Sequence, residues 1–196
     1  MTSPATARSP LALAMLAGLV VAATAFAAPA RAALPVGAKA PDFTTAATLA
    51  GGDFTFALAD ALKKGPVVLY FYPKAFTQGC TIEAHEFSAA QDEFKAAGAT
   101  VMGMSADDMA TLHKFSLDTT ACSGKFAIGV ASKDLIKQYD VVFSLGPISD
   151  PGRSNRTSYV IAPDGQILLT YSDLKAGEHV SRTLAAVKAW KAAHPN

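Results

Sequence analysis

The sequence predicts an α/β fold with a mixed central sheet and helices on both of its faces. Two near-continuous apolar runs, residues 67–72 and 100–105, are each followed by a helical pattern. A turn signal, Pro163-Asp164-Gly165, separates two further strand candidates, and Val180, Leu184, Val187 and Trp190 recur at helical spacing near the end. Runs of β-branched and aromatic residues without polar alternation mark strands buried on both sides. Two βα units followed by a hairpin and a helix need a layer on each side of one sheet.

The chain opens on a segment that belongs to targeting rather than to the fold. Arg8 precedes the uncharged run 11–28, and Pro29-Ala30-Arg31-Ala32 follows it. A basic start, an apolar stretch and an Ala-x-Ala site are the pattern of a secretory signal cleaved after Ala32, residues 1–32. A membrane anchor is the alternative, because the run approaches the roughly 18 residues a span needs. No cysteine immediately follows the apolar stretch, which argues against a lipid-modified start. Cleavage removes Arg8 and Arg31 from 17 basic residues, leaving 15 against 16 acidic ones. A near-neutral chain offers no electrostatic case for nucleic acid or, after cleavage, for a membrane surface. The expected location is outside the cytoplasm, in the periplasm. Residues 33–196, roughly 160 in number, are enough for one domain with a core that needs no covalent staple.

Within that domain residues 34–43 read as an irregular lead-in. Gly51-Gly52-Asp53 marks a hairpin turn between Phe43-Thr44-Thr45 and Phe54-Thr55-Phe56. Residues 57–64 form a short helix candidate and 67–72 a buried strand. A helix then begins near Cys80, carrying Phe87, Ala90, Phe94 and Ala97 on one stripe and ending at Gly98. The strand at 100–105 leads to a second helix at 107–115. A short strand at 126–131 leads to a helical turn or two at 133–139. Residues 146–155, with two prolines and two glycines, read as a loop, and the terminal hairpin and helix follow. This order is the thioredoxin-like arrangement.

Cys80 stands at the junction of the first buried strand and its helix. The first turn of a helix presents free N–H groups and the positive end of the dipole, both of which favour an anion. A thiol placed there is biased toward thiolate, its reactive form. Cys122 is the only other cysteine, in the polar stretch Thr119-Thr120-Ala121-Cys122-Ser123-Gly124, where local unwinding is expected to be cheap. A domain of this size does not need one bridge for stability, so a functional pair carries weight. A metal site is disfavoured, since Cys80, His85, His113 and Cys122 show no close paired spacing. The tetrad Thr77-Gln78-Gly79-Cys80 lacks the first thiol of a dithiol oxidoreductase.

The spacing Pro73-x-x-x-Thr77-x-x-Cys80 in this context resembles the peroxiredoxins. Phe71-Tyr72-Pro73-Lys74, Phe76-Thr77, Gly79-Cys80-Thr81 and Glu83 resemble their bacterioferritin-comigratory, or Q-type, group. Ala40-Pro41-Asp42-Phe43, His113-Lys114-Phe115 and Arg156-Thr157-Ser158-Tyr159-Val160-Ile161 match in order, so the resemblance runs from about Val36 to the last helix. It implies a thiol peroxidase for hydrogen peroxide and organic hydroperoxides, in which the Cys80 thiolate becomes a sulfenic acid. Thr77, one turn upstream, would accept from the peroxide and donate to the thiolate. Pro73 would shield the sulfur from water. Arg156 would lower the thiol pKa and stabilise negative charge in the transition state, and Glu83 would orient it. No bound cofactor is implied, because the sulfur carries the electrons. A thioredoxin-like or other thiol reductant is required to reset it, and Q-type relatives are often monomeric.

His85 departs from the pattern, since many Q-type proteins carry the resolving cysteine at that position. Cys122 is then the candidate resolver, with an inert buried thiol or a permanent disulfide as alternatives. His85 itself is either a solvated helix residue or a group that tunes Cys80. A different class of function also stays open, a non-enzymatic redox-sensing or binding module that stores a Cys80–Cys122 bridge.

Overall fold

The structure is a computed structural model that describes residues 1–2 and 33–195. The secretory signal assigned to residues 1–32 lies outside the described residues, apart from Met1 and Thr2. Nine strands and six helices are present among the described residues. In chain order they begin β1 (Thr44–Leu49), β2 (Gly52–Ala57), α1 (Leu58–Leu62), β3 (Val67–Phe71), α2 (Gln78–Ala89) and α3 (Gln91–Ala96). Then come β4 (Thr100–Ser105), α4 (Met109–Leu117), β5 (Ala127–Val130), α5 (Lys133–Gln138), β6 (Val142–Leu145) and β7 (Ile148–Ser154). The chain closes with β8 (Thr157–Ile161), β9 (Ile167–Ser172) and α6 (His179–Ala193).

Seven strands form one mixed sheet in the order β2-β1-β5-β4-β3-β8-β9. β3, β4 and β5 run parallel, while β1, β8 and β9 pair antiparallel on either side. Every residue of β3 is buried. Its alternate side chains part between two cores, as a period of two requires. Val67, Leu69 and Phe71 join Leu58 and Leu62 of α1 and Leu135 and Ile136 of α5. Val68, Tyr70 and Tyr72 face Phe87 of α2, Phe94 of α3, Phe115 of α4 and Val187 of α6. This is the predicted fold class, with β3 carrying both cores and ending just before Pro73, in the segment that leads to Cys80.

The structure departs from the sequence reading in three places. The Cys80 helix is two helices, because Ala90 leaves helical geometry (φ −86°, ψ 1°) and the buried Gln91 opens a new segment. The break keeps Phe87 and Phe94 on the same core, with ring centroids 5.9 Å apart. Residues 146–155 are not a loop. β6 and β7 pair as a separate two-stranded antiparallel sheet, in which Pro151 is tolerated because no third strand needs its missing donor. In α6 the fully buried face is His179, Thr183 and Val187, with Val180, Leu184 and Trp190 only half-buried.

Close packing at Gly103 ties β4 to the site. It pairs with Tyr70, and a Cβ there would lie 2.8 Å from the Tyr70 ring and hydroxyl. Tyr70 in turn stacks on Phe87 at 4.3 Å, under the helix that bears Cys80. Overpacking of this kind costs about 1–3 kcal/mol. Gly103→Ala should therefore lower the unfolding free energy by that amount, read as a lower urea midpoint at constant m-value, and an unchanged midpoint would show that Tyr70 moves aside freely.

Candidate active site

The segment between β3 and α2 is held open in an unusual conformation. Phe76 adopts φ +61°, a strained region for a bulky residue. Neighbouring bonds pin it: Ala75 N–H donates to Asp107 Oδ2 at 2.7 Å, and Ser105 Oγ donates to the same oxygen at 2.6 Å. Ser154 Oγ donates to the Tyr72 carbonyl at 2.9 Å, binding the end of β3 to β7. Pro73, half-buried, marks the exit from the strand.

Thr77 is the N-cap of α2 in backbone conformation, but its side chain makes no capping bond. Its Oγ1 is exposed and donates to the Lys74 carbonyl at 2.9 Å. No hydrogen bond joins it to the Cys80 sulfur in this state. The expected Thr77-to-thiolate contact is therefore absent here, because the hydroxyl closes its own turn instead. The consequence favours an anion at Cys80, since the first amides of α2 have neither a side-chain cap nor an acidic residue in the first turn.

Cys80 is 2% exposed and free. Arg156, 4% exposed, enters from the residue preceding β8 and distributes its guanidinium in three directions. Nη2 donates to Cys80 Sγ at 3.3 Å, Nη1 donates to Glu83 Oε2, and Nε donates to the Leu174 carbonyl at 2.9 Å. A planar fork holds the three acceptors at fixed spacing from three separate nitrogens, which the single ammonium nitrogen of a lysine does not. Gly79 makes room for it: a Cβ there would stand 3.0 Å from Nη2. Glu83 lies one turn beyond Cys80 on α2 and is fully buried. Burial pushes its carboxyl up to about 8, against the opposing pull of Arg156.

A residue the sequence reading missed completes the cluster. His179, at the start of α6, is fully buried, with Nδ1 2.8 Å from Ser158 Oγ and 3.6 Å from Glu83 Oε1. Its Nε2 lies 2.9 Å from the Asp173 carbonyl. Burial holds its pKa down to about 4. A lone histidine opening a C-terminal helix carries no spacing signal. Only the pairing of β8 with β9 brings it under α2.

Cys122 is corrected in its surroundings. The polar stretch is a hydrogen-bonded turn whose rim is solvated while Ala121 and Cys122 are fully buried. Asp118 anchors it, its Oδ1 accepting from Thr120 N–H at 2.7 Å and its carbonyl from Ser123 N–H at 2.9 Å. Burial pushes the Cys122 thiol well above the ordinary cysteine range. Both sulfurs belong to one apolar cluster, with no disulfide between them. His85 is exposed and lines a surface groove of about 430 Å³ with Ile82 and Thr120. No cluster of three His, Cys, Asp or Glu able to hold a metal occurs among the described residues.

A thioredoxin-like sheet bearing one cysteine at an uncapped helix start, against a buried guanidinium, defines a thiol-based redox enzyme. The sequence profile of the AhpC/TSA family matches residues 36–170. Peroxiredoxin Bcp of Xanthomonas campestris is 32% identical over 127 residues, 63% of this chain and 76% of that one. Peroxiredoxin Q of Oryza sativa, a chloroplastic protein, is 32% identical over 182 residues, covering 83% and 77%. Peroxidoxin BcpB from Mycobacterium tuberculosis superposes with a TM-score of 0.68 at 28% identity, over 80% of this chain and 97% of that one. The chain belongs to the AhpC/TSA family, within its Q-type peroxiredoxins. It is thus a thiol peroxidase, an oxidoreductase.

The two shifted groups give stability a signed pH dependence. Glu83, raised from 4.5 to about 8, binds its proton only in the folded state between those values, so its contribution falls as pH rises. His179, lowered from 6.5 to about 4, acts oppositely between about 4 and 6.5. The slopes oppose below pH 6.5, and Glu83 alone acts from there to about 8. In a Cys80→Ser background, which removes the thiol's own ionisation, stability should fall over that window by up to about 1.4 kcal/mol per pH unit. Urea unfolding of Glu83→Gln in that background should lose this slope, and equal slopes in both proteins would contradict the shift.

Proposed function

We propose that Cys80 is the peroxidatic cysteine and that the protein reduces hydrogen peroxide and small organic hydroperoxides in an exported compartment. The observation that carries this is the Arg156 Nη2 donor 3.3 Å from Sγ at an uncapped helix start. The thiolate attacks one oxygen of the O–O bond, forming a sulfenic acid and expelling water or an alcohol once the departing oxygen is protonated. Arg156 stabilises charge as it moves from sulfur to the departing oxygen. Glu83 holds the guanidinium in place. Pro73, at the exit of β3, restricts water around the sulfur. Thr77 comes into play through a rotation of its hydroxyl away from the Lys74 carbonyl toward the bound peroxide.

Resolution is assigned to Cys122. Its thiol condenses with the sulfenic acid to give a Cys80–Cys122 disulfide and water, which an external dithiol then reduces. Because Cys122 is fully buried, the turn at 118–124 and the start of α2 must open first. A buried, protonated thiol is also a poor attacker until that opening exposes it. The basic and apolar pattern of residues 8–32 supports export with cleavage after Ala32, to the periplasm, where the protein acts as a monomer.

Stopped-flow peroxide consumption by the reduced protein should exceed that of a free thiolate by at least about 100-fold. A rate equal to the free thiolate's would instead favour a passive redox module. Mass spectrometry after one equivalent of peroxide should find the Cys80–Cys122 bridge in the wild type and a sulfenic acid at Cys80 in Cys122→Ser. Recovery of a free Cys122 thiol from the oxidised wild type would sink the resolving assignment.

A further inference from the structure

The site holds two groups that want the same positive charge. Arg156 donates to Cys80 Sγ through Nη2 and to Glu83 through Nη1, and all three are buried. One guanidinium compensates one anion, so a thiolate at Cys80 and a carboxylate at Glu83 together would leave a buried charge unmatched. The carboxylate also has an unsatisfied atom, since Glu83 Oε1 is buried without a hydrogen-bond partner. Its neighbour is His179 Nδ1, 3.6 Å away.

The tautomer of His179 follows from its partners. Nε2 faces the Asp173 carbonyl, which can only accept, so Nε2 carries the hydrogen. In the neutral ring Nδ1 is then an acceptor, here taking the hydroxyl of Ser158. A bare carboxylate oxygen opposite a bare ring nitrogen is repulsive, whereas a carboxylic acid opposite it is a hydrogen bond waiting to close. We propose that His179 is a positioning residue whose Nδ1 accepts a hydrogen bond from the protonated Glu83 carboxyl when Cys80 ionises, so that Arg156 serves the sulfur alone.

The step balances without any added reactant: the Cys80 thiol and the Glu83 carboxylate become a thiolate and a carboxylic acid, one proton being moved through solvent. Nδ1 changes partner from the Ser158 hydroxyl to the Glu83 acid. The directions of both shifted groups agree, a carboxyl biased toward its acid beside an imidazole biased toward neutrality. Other charged and titratable groups face this pair from each side. Glu86 on α2 adds to the bias on Glu83. The Tyr70 hydroxyl on β3 lies within its field. From β9, the Tyr171 ring meets His179 edge-on at 4.7 Å, with Arg182 over its other side paired to Glu178. Of these, His179 places Nδ1 3.6 Å from Oε1.

This inference rests on Cys80 being the nucleophile, and two substitutions divide the ring's duties. His179→Gln keeps a donor near Nε2 for the Asp173 carbonyl and removes the Nδ1 acceptor. His179→Asn places an acceptor near Nδ1 and removes the anchor. In His179→Gln the pH profile of peroxide reduction should move about one unit upward, with about tenfold loss on its acid limb. His179→Asn should restore most of the profile. A wild-type profile in His179→Gln, or equal loss in both variants, would overturn the proposal. Infrared spectroscopy supplies an arm free of turnover and of His179 substitution. The reduced wild type at neutral pH should show a protonated-carboxyl band that Glu83→Gln lacks, and its absence would overturn the proposal equally. If the wild type proved no faster than Cys80→Ser, the nucleophile assignment would fail, and the infrared band would still report on the pair.

Discussion

A single guanidinium shared between a sulfur and a carboxylate is the constraint around which the molecule is arranged. At 3.3 Å and an effective dielectric of about 20, Arg156 and a Cys80 thiolate attract by on the order of 5 kcal/mol. Burying each ion costs several kcal/mol in opposition. The two effects are close enough that placement decides the balance. Glu83 and the Leu174 carbonyl fix two corners of the fork, so the third points at Sγ with little freedom left. Gly79, without a side chain, leaves the space this approach requires.

The sheet serves that geometry. β3 ends where the segment leading to Cys80 begins, and β8, its antiparallel neighbour, starts one residue after Arg156. Phe71 pairs with Thr157, so the strand pairing itself sets how far the arginine stands from the cysteine helix. The two aromatic cores on either face hold this register, because a slip of one residue would exchange Tyr70 and Phe71 between them.

Much of this was legible in the order of residues. The strands at 67–72 and 100–105 announced themselves by unbroken apolar runs, and the Pro73, Thr77 and Cys80 spacing marked the site. The break at Ala90 was hidden, because its apolar stripe continues across two helices. The β6–β7 hairpin was hidden as well, since two prolines and two glycines are the composition of a loop and only a two-stranded sheet excuses Pro151. His179 could not be found from spacing, because it reaches Glu83 through long-range pairing. Thr77 was placed correctly along the chain, but the hydroxyl's choice of partner is a rotamer, and no sequence states it. Cys122 sits in a polar stretch, yet the alternation of its turn buries the sulfur and leaves the threonines outside.

As the proposed resolver, Cys122 would add a dynamic requirement to the site. Its sulfur shares an apolar core with Cys80, so the proposed disulfide would require opening of the turn at 118–124 rather than diffusion of a free loop. Under that proposal, rapid oxidation of Cys80 followed by slower closure is the order of events this packing would favour. The account stands most directly on the fork of Arg156, which the charge-conserving variant Arg156→Lys isolates. Single-turnover oxidation of its reduced form by hydrogen peroxide should be slowed by about 100-fold or more. A rate within about threefold of the wild type would show that any nearby positive charge suffices, contradicting the role given to the shared guanidinium.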